Sequence, residues 1–276
     1  MSIITGELIQ ECCDVYCGLL EDFKYNPRIN AQKSKCVNIN TINSNWDNPR
    51  IIFCYSKRIR DFIHIVKFLQ NNFVLVTHNS DTSIVGDLRI ILENSKLEFW
   101  HGQNVLILHN KLGSLPIGIA NSMWAHGNLN ILEKIISSPQ IKLHDVYFNF
   151  SLHTNRSERE NCMKKISSKG LKFMPSLSFE KYLTTLASYK YAICPPGNGV
   201  DCHRIWECLY LGVIPILLHS VFSEELSKSF NCIVLKSWDD FDMEKLINNY
   251  TEPPPISDKL RMNKIRDCIN TNTKFF

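Results

Sequence analysis

The chain has 276 residues, 44% of them hydrophobic and 21% charged, the profile of a globular protein able to bury a real core. That length allows one large domain or two small ones. A formal net charge of +4 gives no argument for a nucleic-acid partner, while remaining compatible with a small anionic ligand.

The N-terminal stretch MSIITGELIQECCDVYCGLLEDF reads as a helix. It lacks a basic start and carries Glu7, Glu11 and Asp14 through its apolar face, so neither a signal peptide nor a membrane span is expected, and the expected location is cytoplasmic. Eleven cysteines are present without a CxxC pair. Cys54, Cys194 and Cys232 fall in apolar runs, where a thiol acts as a small hydrophobe, and the spacing of Cys12, Cys13 and Cys17 does not favour a metal. A reducing compartment is the expectation.

Residues 24–50 are polar, Asn-rich and irregular. The pattern then predicts a strand at 51–55, a helix at 59–69, a strand at 73–77, a helical segment at 83–94, and strands at 105–109 and 115–119. A helix at 129–137 leads to a second series: strand 145–151, helix 157–167, short strand 172–174 and helix 179–188. A strand–turn–helix–strand unit over 191–218 follows, then helix 222–229, strand 232–235, helix 240–249, a break at the prolines 253–255 and a last helix at 258–269. This alternation predicts an α/β protein with two Rossmann-like domains, parallel sheets flanked by helices, divided as 1–130 and 131–276. The closing C-terminal helix is expected to belong to the second domain.

The densest chemistry lies in YAICPPGNGVDCHRIWECLYLGVIPILLH, Tyr191 to His219. An apolar strand stops at Pro195-Pro196-Gly197-Asn198-Gly199, Asp201 is placed to cap a helix, Gly212 closes it, and a second strand begins at Val213. In a parallel βαβ unit, backbone N–H groups and the positive helix end gather at such a turn and favour anions. His203 and Arg204 in the first helical turn oppose the helix dipole unless an anion lies there. Glu207, three residues on, shares that part of the helix; an ordinary ion pair with Arg204 is the plain alternative. Gly197 and Gly199 are expected to supply positive φ or close ligand approach. Trp206 reads as core packing, and Cys194 and Cys202 have no base within sequence reach to make either a nucleophile.

PPGNGVDCHRIWECLYLGVIPIL resembles the C-terminal signature of exostosin-like glycosyltransferases: a Pro/Gly turn, a helix bearing Arg, then Trp-Glu, then Leu-Gly-x-Ile-Pro. The likeness is dense over 187–218 and weaker over 145–238. It implies two α/β domains facing across a cleft, the GT-B arrangement, and transfer of a sugar from a nucleotide-diphosphate donor, with a UDP-sugar expected, to a hydroxyl of a glycan or glycoconjugate. Inversion without a metal is likewise implied by the family. Animal exostosins of this kind are membrane-anchored; with no anchor read here, a bacterial or viral enzyme is expected. The donor site would comprise Arg156, Pro196, Gly197, Asn198, Gly199, His203, Arg204 and Glu207. Arg204 would grip the diphosphate, and Glu207 would accept from the ribose hydroxyls.

Arg156 is expected to open into the same crevice, since Asn155-Arg156 follows the strand at 145–151; a solvated arginine at a helix start is the plain alternative. His219, after the second strand of the unit, is a candidate for the donor sugar. An inverting transfer also needs a base for the acceptor hydroxyl. Asp81, in His78-Asn79-Ser80-Asp81, and His126, in the loop Asn121 to Asn128, both follow predicted strands of the first domain. Asp81 is preferred as base, with His78 toward the acceptor; a hydrogen-bonded loop histidine or aspartate is the plain alternative at each site. Asp240-Phe241-Asp242 has the DxD pattern but opens a helix, so Asp239 or Asp240 reads as a cap rather than a metal ligand. A sugar-nucleotide epimerase-like enzyme and a non-catalytic nucleotide-binding module are the alternatives.

Overall fold

The computed structural model describes residues 2–138, 141–253 and 256–276; in it, Thr5 accepts from the Leu8 N–H and starts α1 (Gly6–Glu11). The expected long N-terminal helix ends there. After a turn at 12–14 come β1 (Val15–Gly18), α2 (Leu20–Lys24), α3 (Pro27–Asn30) and β2 (Cys36–Asn38). Cys17 therefore sits on a strand, apart from Cys12 and Cys13. Val15-Tyr16-Cys17 is too short a run to separate strand from helix by periodicity, and only its parallel pairing with β2 on one side and β3 on the other makes it a strand.

β3 (Ile51–Tyr55), α4 (Ile59–Ile65), β4 (Phe73–His78), α5 (Arg89–Leu92), β5 (Leu97–Gly102) and β6 (Leu112–Ser114) follow. β3 and β4 are buried throughout, as strands covered on both faces must be. All six strands run parallel in the order β2-β1-β3-β4-β5-β6. Two strand expectations are corrected here. The fifth strand is 97–102, and the apolar run at 105–109 contributes only an isolated bridge from Val105 to Ile84. The last strand is 112–114, and Ile119 instead bridges to Thr5. Trp100, Phe62 and Phe73 are fully buried in the core on one face of this sheet.

The second series is α6 (Leu129–Ile136), β7 (His144–Tyr147), α7 (Arg156–Ser168), α8 (Phe179–Ala187), β8 (Tyr189–Ile193), α9 (His203–Tyr210), β9 (Ile214–Leu218), α10 (Val221–Ser227), β10 (Ile233–Leu235) and α11 (Met243–Asn248). Its four strands are parallel in the order β10-β9-β8-β7. Phe148, Phe150 and Phe173 pack edge to face within its core. The segment 172–174 forms no strand; Met174 N donates singly to the Phe148 carbonyl. Asp242, not Asp239 or Asp240, caps α11, while Asp240 accepts from Ser237 N in the preceding 3-10 turn. Of the three successive prolines, Pro254 and Pro255 lie outside the described residues.

The chain divides into two compact units, 2–127 with 261–276, and 128–260. α12 (Met262–Thr271) thus belongs with the six-stranded unit, contrary to its expected place in the second domain. It buries Met262, Ile265 and Ile269, and Met262 N donates to the Ser2 carbonyl. All eleven cysteines are free thiols. Among the described residues no helix is long and apolar enough to cross a membrane.

Candidate functional site

β8 ends at Ile193, and Cys194 N still pairs with the Ile216 carbonyl before the prolines stop the ladder. Cys202, not Asp201, is the N-cap of α9, and it caps without a side-chain bond. Asp201 instead accepts from Trp206 Nε1 at 2.7 Å, and both are buried, so Trp206 is a core residue. Gly212, at φ 61°, ends the helix in the left-handed conformation and releases the chain into β9.

Two carbonyls of the Pro/Gly turn are held from α7. Asn155, left-handed at φ 49°, donates from Nδ2 to the Gly197 carbonyl at 2.9 Å. Arg159 donates from Nε to the Pro196 carbonyl at 3.1 Å and from Nη1 to the Ser151 carbonyl at 2.8 Å. Gly197 keeps an ordinary φ, so the expected positive φ is absent; its lack of a side chain matters because a Cβ there would lie 3.3 Å from Arg159 Nη2. Among the described residues, the backbone N–H groups of Gly197, Gly199 and Val200 have no hydrogen-bond acceptor. Two carbonyls of the turn are thus anchored from the α7 side while these three N–H groups stay unpaired. Asn198 is exposed at the tip of the turn, and His203 is the first residue of α9.

Arg204 is fixed by residues of α8, β7 and the loop that follows β7. Its Nε donates to the Tyr182 hydroxyl at 3.2 Å, Nη1 donates to the Asn149 carbonyl, and its guanidinium lies over the rings of Tyr182 and Tyr147 at 5.2 and 5.8 Å. Nη2 makes no hydrogen bond with a described residue. Tyr182 in turn donates to Glu207 Oε2 at 2.5 Å. Burial works against the Arg204 charge, but its surroundings, with the Glu207 carboxylate as countercharge, more than offset this and raise its pKa. Burial pushes Tyr182 well above the usual phenol range, so its hydroxyl stays protonated and can donate. Glu207 is 5% exposed and engaged by Tyr182, which differs from the open carboxylate expected for ribose. Burial likewise raises the thiols of Cys194 and Cys202, the latter to about 12, so both stay protonated.

Arg156 does not join this group. It is exposed and paired with Glu160 at 2.6 Å, because α7 begins at Arg156 and turns that position outward. Arg159 takes the place expected of it. The signal was present in the sequence: Arg159, Cys162 and Ile166 share one buried helix face. Tyr147, Asn149 and Tyr182 were missed, having no motif of their own.

Beside the turn, a concavity of about 130 Å³ is lined by Cys194, Pro196, Val200, Leu217, Leu218, His219, Ser220, Phe222 and Ser223. It joins Pro196 and His219 at the carboxyl ends of neighbouring strands. The His219 ring is paired with Glu224 at 2.7 Å and is about half exposed.

In the six-stranded unit, His78 ends β4 and is 1% exposed. Its Nε2 meets the Pro116 carbonyl at 3.0 Å and its Nδ1 meets Asn79 Oδ1 at 3.1 Å, so both ring nitrogens serve the fold rather than reaching an acceptor. Asp81 is exposed beyond that strand, and its carbonyl accepts from Asn104 Nδ2 at 3.4 Å. His126 is exposed in a 3-10 turn beside Trp124, their planes 20° apart. Neither a protein-family model nor a curated protein matches this chain.

Proposed function

We propose that this chain is a GT-B-type glycosyltransferase of the exostosin-like kind, transferring a sugar from a nucleotide-diphosphate donor, a UDP-sugar, to a hydroxyl of a glycan. The reading has the four-stranded unit hold the donor and the six-stranded unit serve the acceptor. The observation that carries it is the set of unpaired N–H groups on Gly197, Gly199 and Val200 at the head of α9, where Arg204 also sits. Two phosphates would accept from those N–H groups and from Arg204 Nη2, and the same donors would steady the charge that develops on the departing diphosphate. Glu207 acts through Tyr182 to hold Arg204 in place. Asp81 or His126 would take the acceptor proton, and inversion without a metal follows from the family likeness.

A thermal-shift panel of UDP-, GDP- and TDP-sugars, each with and without EDTA, tests this. A UDP-sugar should stabilise the protein regardless of EDTA, and Arg204→Ala should abolish the shift while a circular-dichroism spectrum reports an intact fold. Either Asp81→Ala or His126→Ala, whichever removes the base, should spare donor binding and abolish transfer. Undiminished donor binding by folded Arg204→Ala overturns the proposal.

One observation favours a second reading, a nucleotide-binding module without turnover: Arg204 commits Nε and Nη1 to internal partners, and Glu207 is buried. Nucleotide-sugar binding without release of free nucleotide diphosphate across a panel of glycan acceptors separates it from the first.

A further inference from the structure

Trp124 is 53% exposed, whereas Trp100, Trp206 and Trp238 are buried and each donates its indole N–H to a partner. The Trp124 indole N–H has no acceptor among the described residues. Its ring centroid lies 6.2 Å from that of His126, with the two planes nearly parallel.

The loop beneath is stitched down. Trp124 N donates to the Asn121 carbonyl at 3.0 Å, and Gly127 N donates to the Trp124 carbonyl at 2.8 Å. A Cβ on Gly127 would come within 2.1 Å of the Asn121 oxygen. Ser122 donates from N and Oγ to the two oxygens of Glu7, at 3.2 and 3.1 Å, and Glu7 N donates to Asn121 Oδ1 at 2.9 Å. Glu7 is 3% exposed, so a buried carboxylate serves to hold an exposed aromatic.

A second segment converges on that carboxylate. Asn26 donates from Nδ2 to Glu7 Oε2 at 2.9 Å, the oxygen that also accepts from Ser122 Oγ. The residue before it, Tyr25, is 70% exposed. Two exposed aromatic residues thus hang from two segments fastened to one point. Asn79, directly after β4, joins the same cluster through Asn121 Nδ2 at 3.2 Å, so it lies at the carboxyl end of the parallel sheet, where ligands of such sheets bind.

We infer that Trp124 with His126, and Tyr25, form a stacking surface for the pyranose rings of a neutral glycan. A pyranose offers one face of C–H bonds, weakly positive, to the negative face of an aromatic ring, and its hydroxyls seek donors such as the free indole N–H. Ser122 and His126 are exposed within two residues of Trp124, polar neighbours that suit a hydrated sugar better than an apolar protein face. This deepens the sugar-transfer reading, on which it rests, by assigning the acceptor side to neutral, multi-residue glycans.

The test is acrylamide quenching of tryptophan emission from the full chain, titrated with maltotriose, cellotriose and chitotriose. Trp124 is the most exposed indole described, Trp46 being half-buried; the difference from Trp124→Phe isolates its signal, and at least one trisaccharide should protect it. Calorimetry on Trp124→Ala should then show about tenfold weaker binding, with Trp124→Phe restoring most of it and Tyr25→Ala losing a smaller factor. Nucleotide-sugar thermal shifts should be unchanged in all three variants. If a nucleotide sugar binds but no trisaccharide protects Trp124, this inference fails and the transfer reading stands. Protection by a trisaccharide with no nucleotide-sugar binding leaves the surface standing and removes the reading. Shielding of Trp124 that rises with protein concentration, alongside a dimer by light scattering, overturns the inference in favour of self-association.

Discussion

The Tyr182 hydroxyl donates to Glu207 Oε2 at 2.5 Å and accepts from Arg204 Nε at 3.2 Å, so one phenol couples the two charged residues of α9. Tyr182→Phe keeps the ring over the guanidinium but strands both polar partners. It should lower the unfolding free energy in urea by about 1–3 kcal/mol. Glu207→Gln removes the countercharge of a buried cation and should cost more, about 3–5 kcal/mol. Equal effects would mean that the carboxylate charge is not what steadies Arg204.

Asn155 contributes to the turn in two separable ways, by its left-handed backbone and by its bond to the Gly197 carbonyl. Asn155→Gly keeps the backbone and loses only the bond, about 1 kcal/mol. Asn155→Ala adds a left-handed penalty of about 1–2 kcal/mol. Urea denaturation of the pair should resolve that difference; identical midpoints would show that α7 can begin without a left-handed residue.

His101 lies buried on β5 against Phe99, with ring centroids 4.6 Å apart and neither ring nitrogen bonded. Burial pulls its imidazole from 6.5 down to about 3. The folded ring therefore stays neutral while the unfolded one protonates. Its contribution to stability is complete above about pH 6.5 and is lost progressively as pH falls toward 3, on the order of 4–5 kcal/mol over the whole window. His101→Phe should flatten that part of the stability profile and leave stability at pH 7 equal or higher, since two unpaired buried atoms disappear. An unchanged slope between pH 6.5 and 4 would rule His101 out as its source.

Gly6 has no room for a side chain: a Cβ would fall 1.9 Å from Asn79 Oδ1 and 2.8 Å from His78 Nδ1. Asn79 cannot yield freely, because it also bonds Gln10 and Asn121. Gly6→Ala should destabilise by about 1–3 kcal/mol and increase acrylamide access to Trp124 as the loop loosens. A stability loss without any change in quenching would disconnect the glycine from that loop.

The donor-side turn was legible because its parts are neighbours in the chain. The strand, Pro195-Pro196-Gly197, Arg204, Gly212 and the following strand fall within one βαβ unit, and local rules suffice to order them. The residues that hold the turn and Arg204 come from elsewhere. Arg159 lies 37 residues from Pro196, and Tyr182 and Asn149 lie 22 and 55 residues from Arg204. Arg156 and Arg159 are chemically alike, and only helical phase against Cys162 and Ile166 turns the second toward the turn. In the same way β1 shows too few residues for any periodicity, and the sheet partners on either side make it a strand.

From the amino-acid order alone come the parallel α/β class, most helices, and the placing of glycine, proline and arginine at one strand end, since turn chemistry and side-chain period act over a few residues. Tertiary packing decided that Arg204 is gripped by two tyrosines, that Glu207 is buried beneath it, and that α12 returns to the first sheet. Those outcomes depend on which distant groups must share a desolvated space and satisfy one another's hydrogen bonds there, a condition that exists only once the chain has closed on itself.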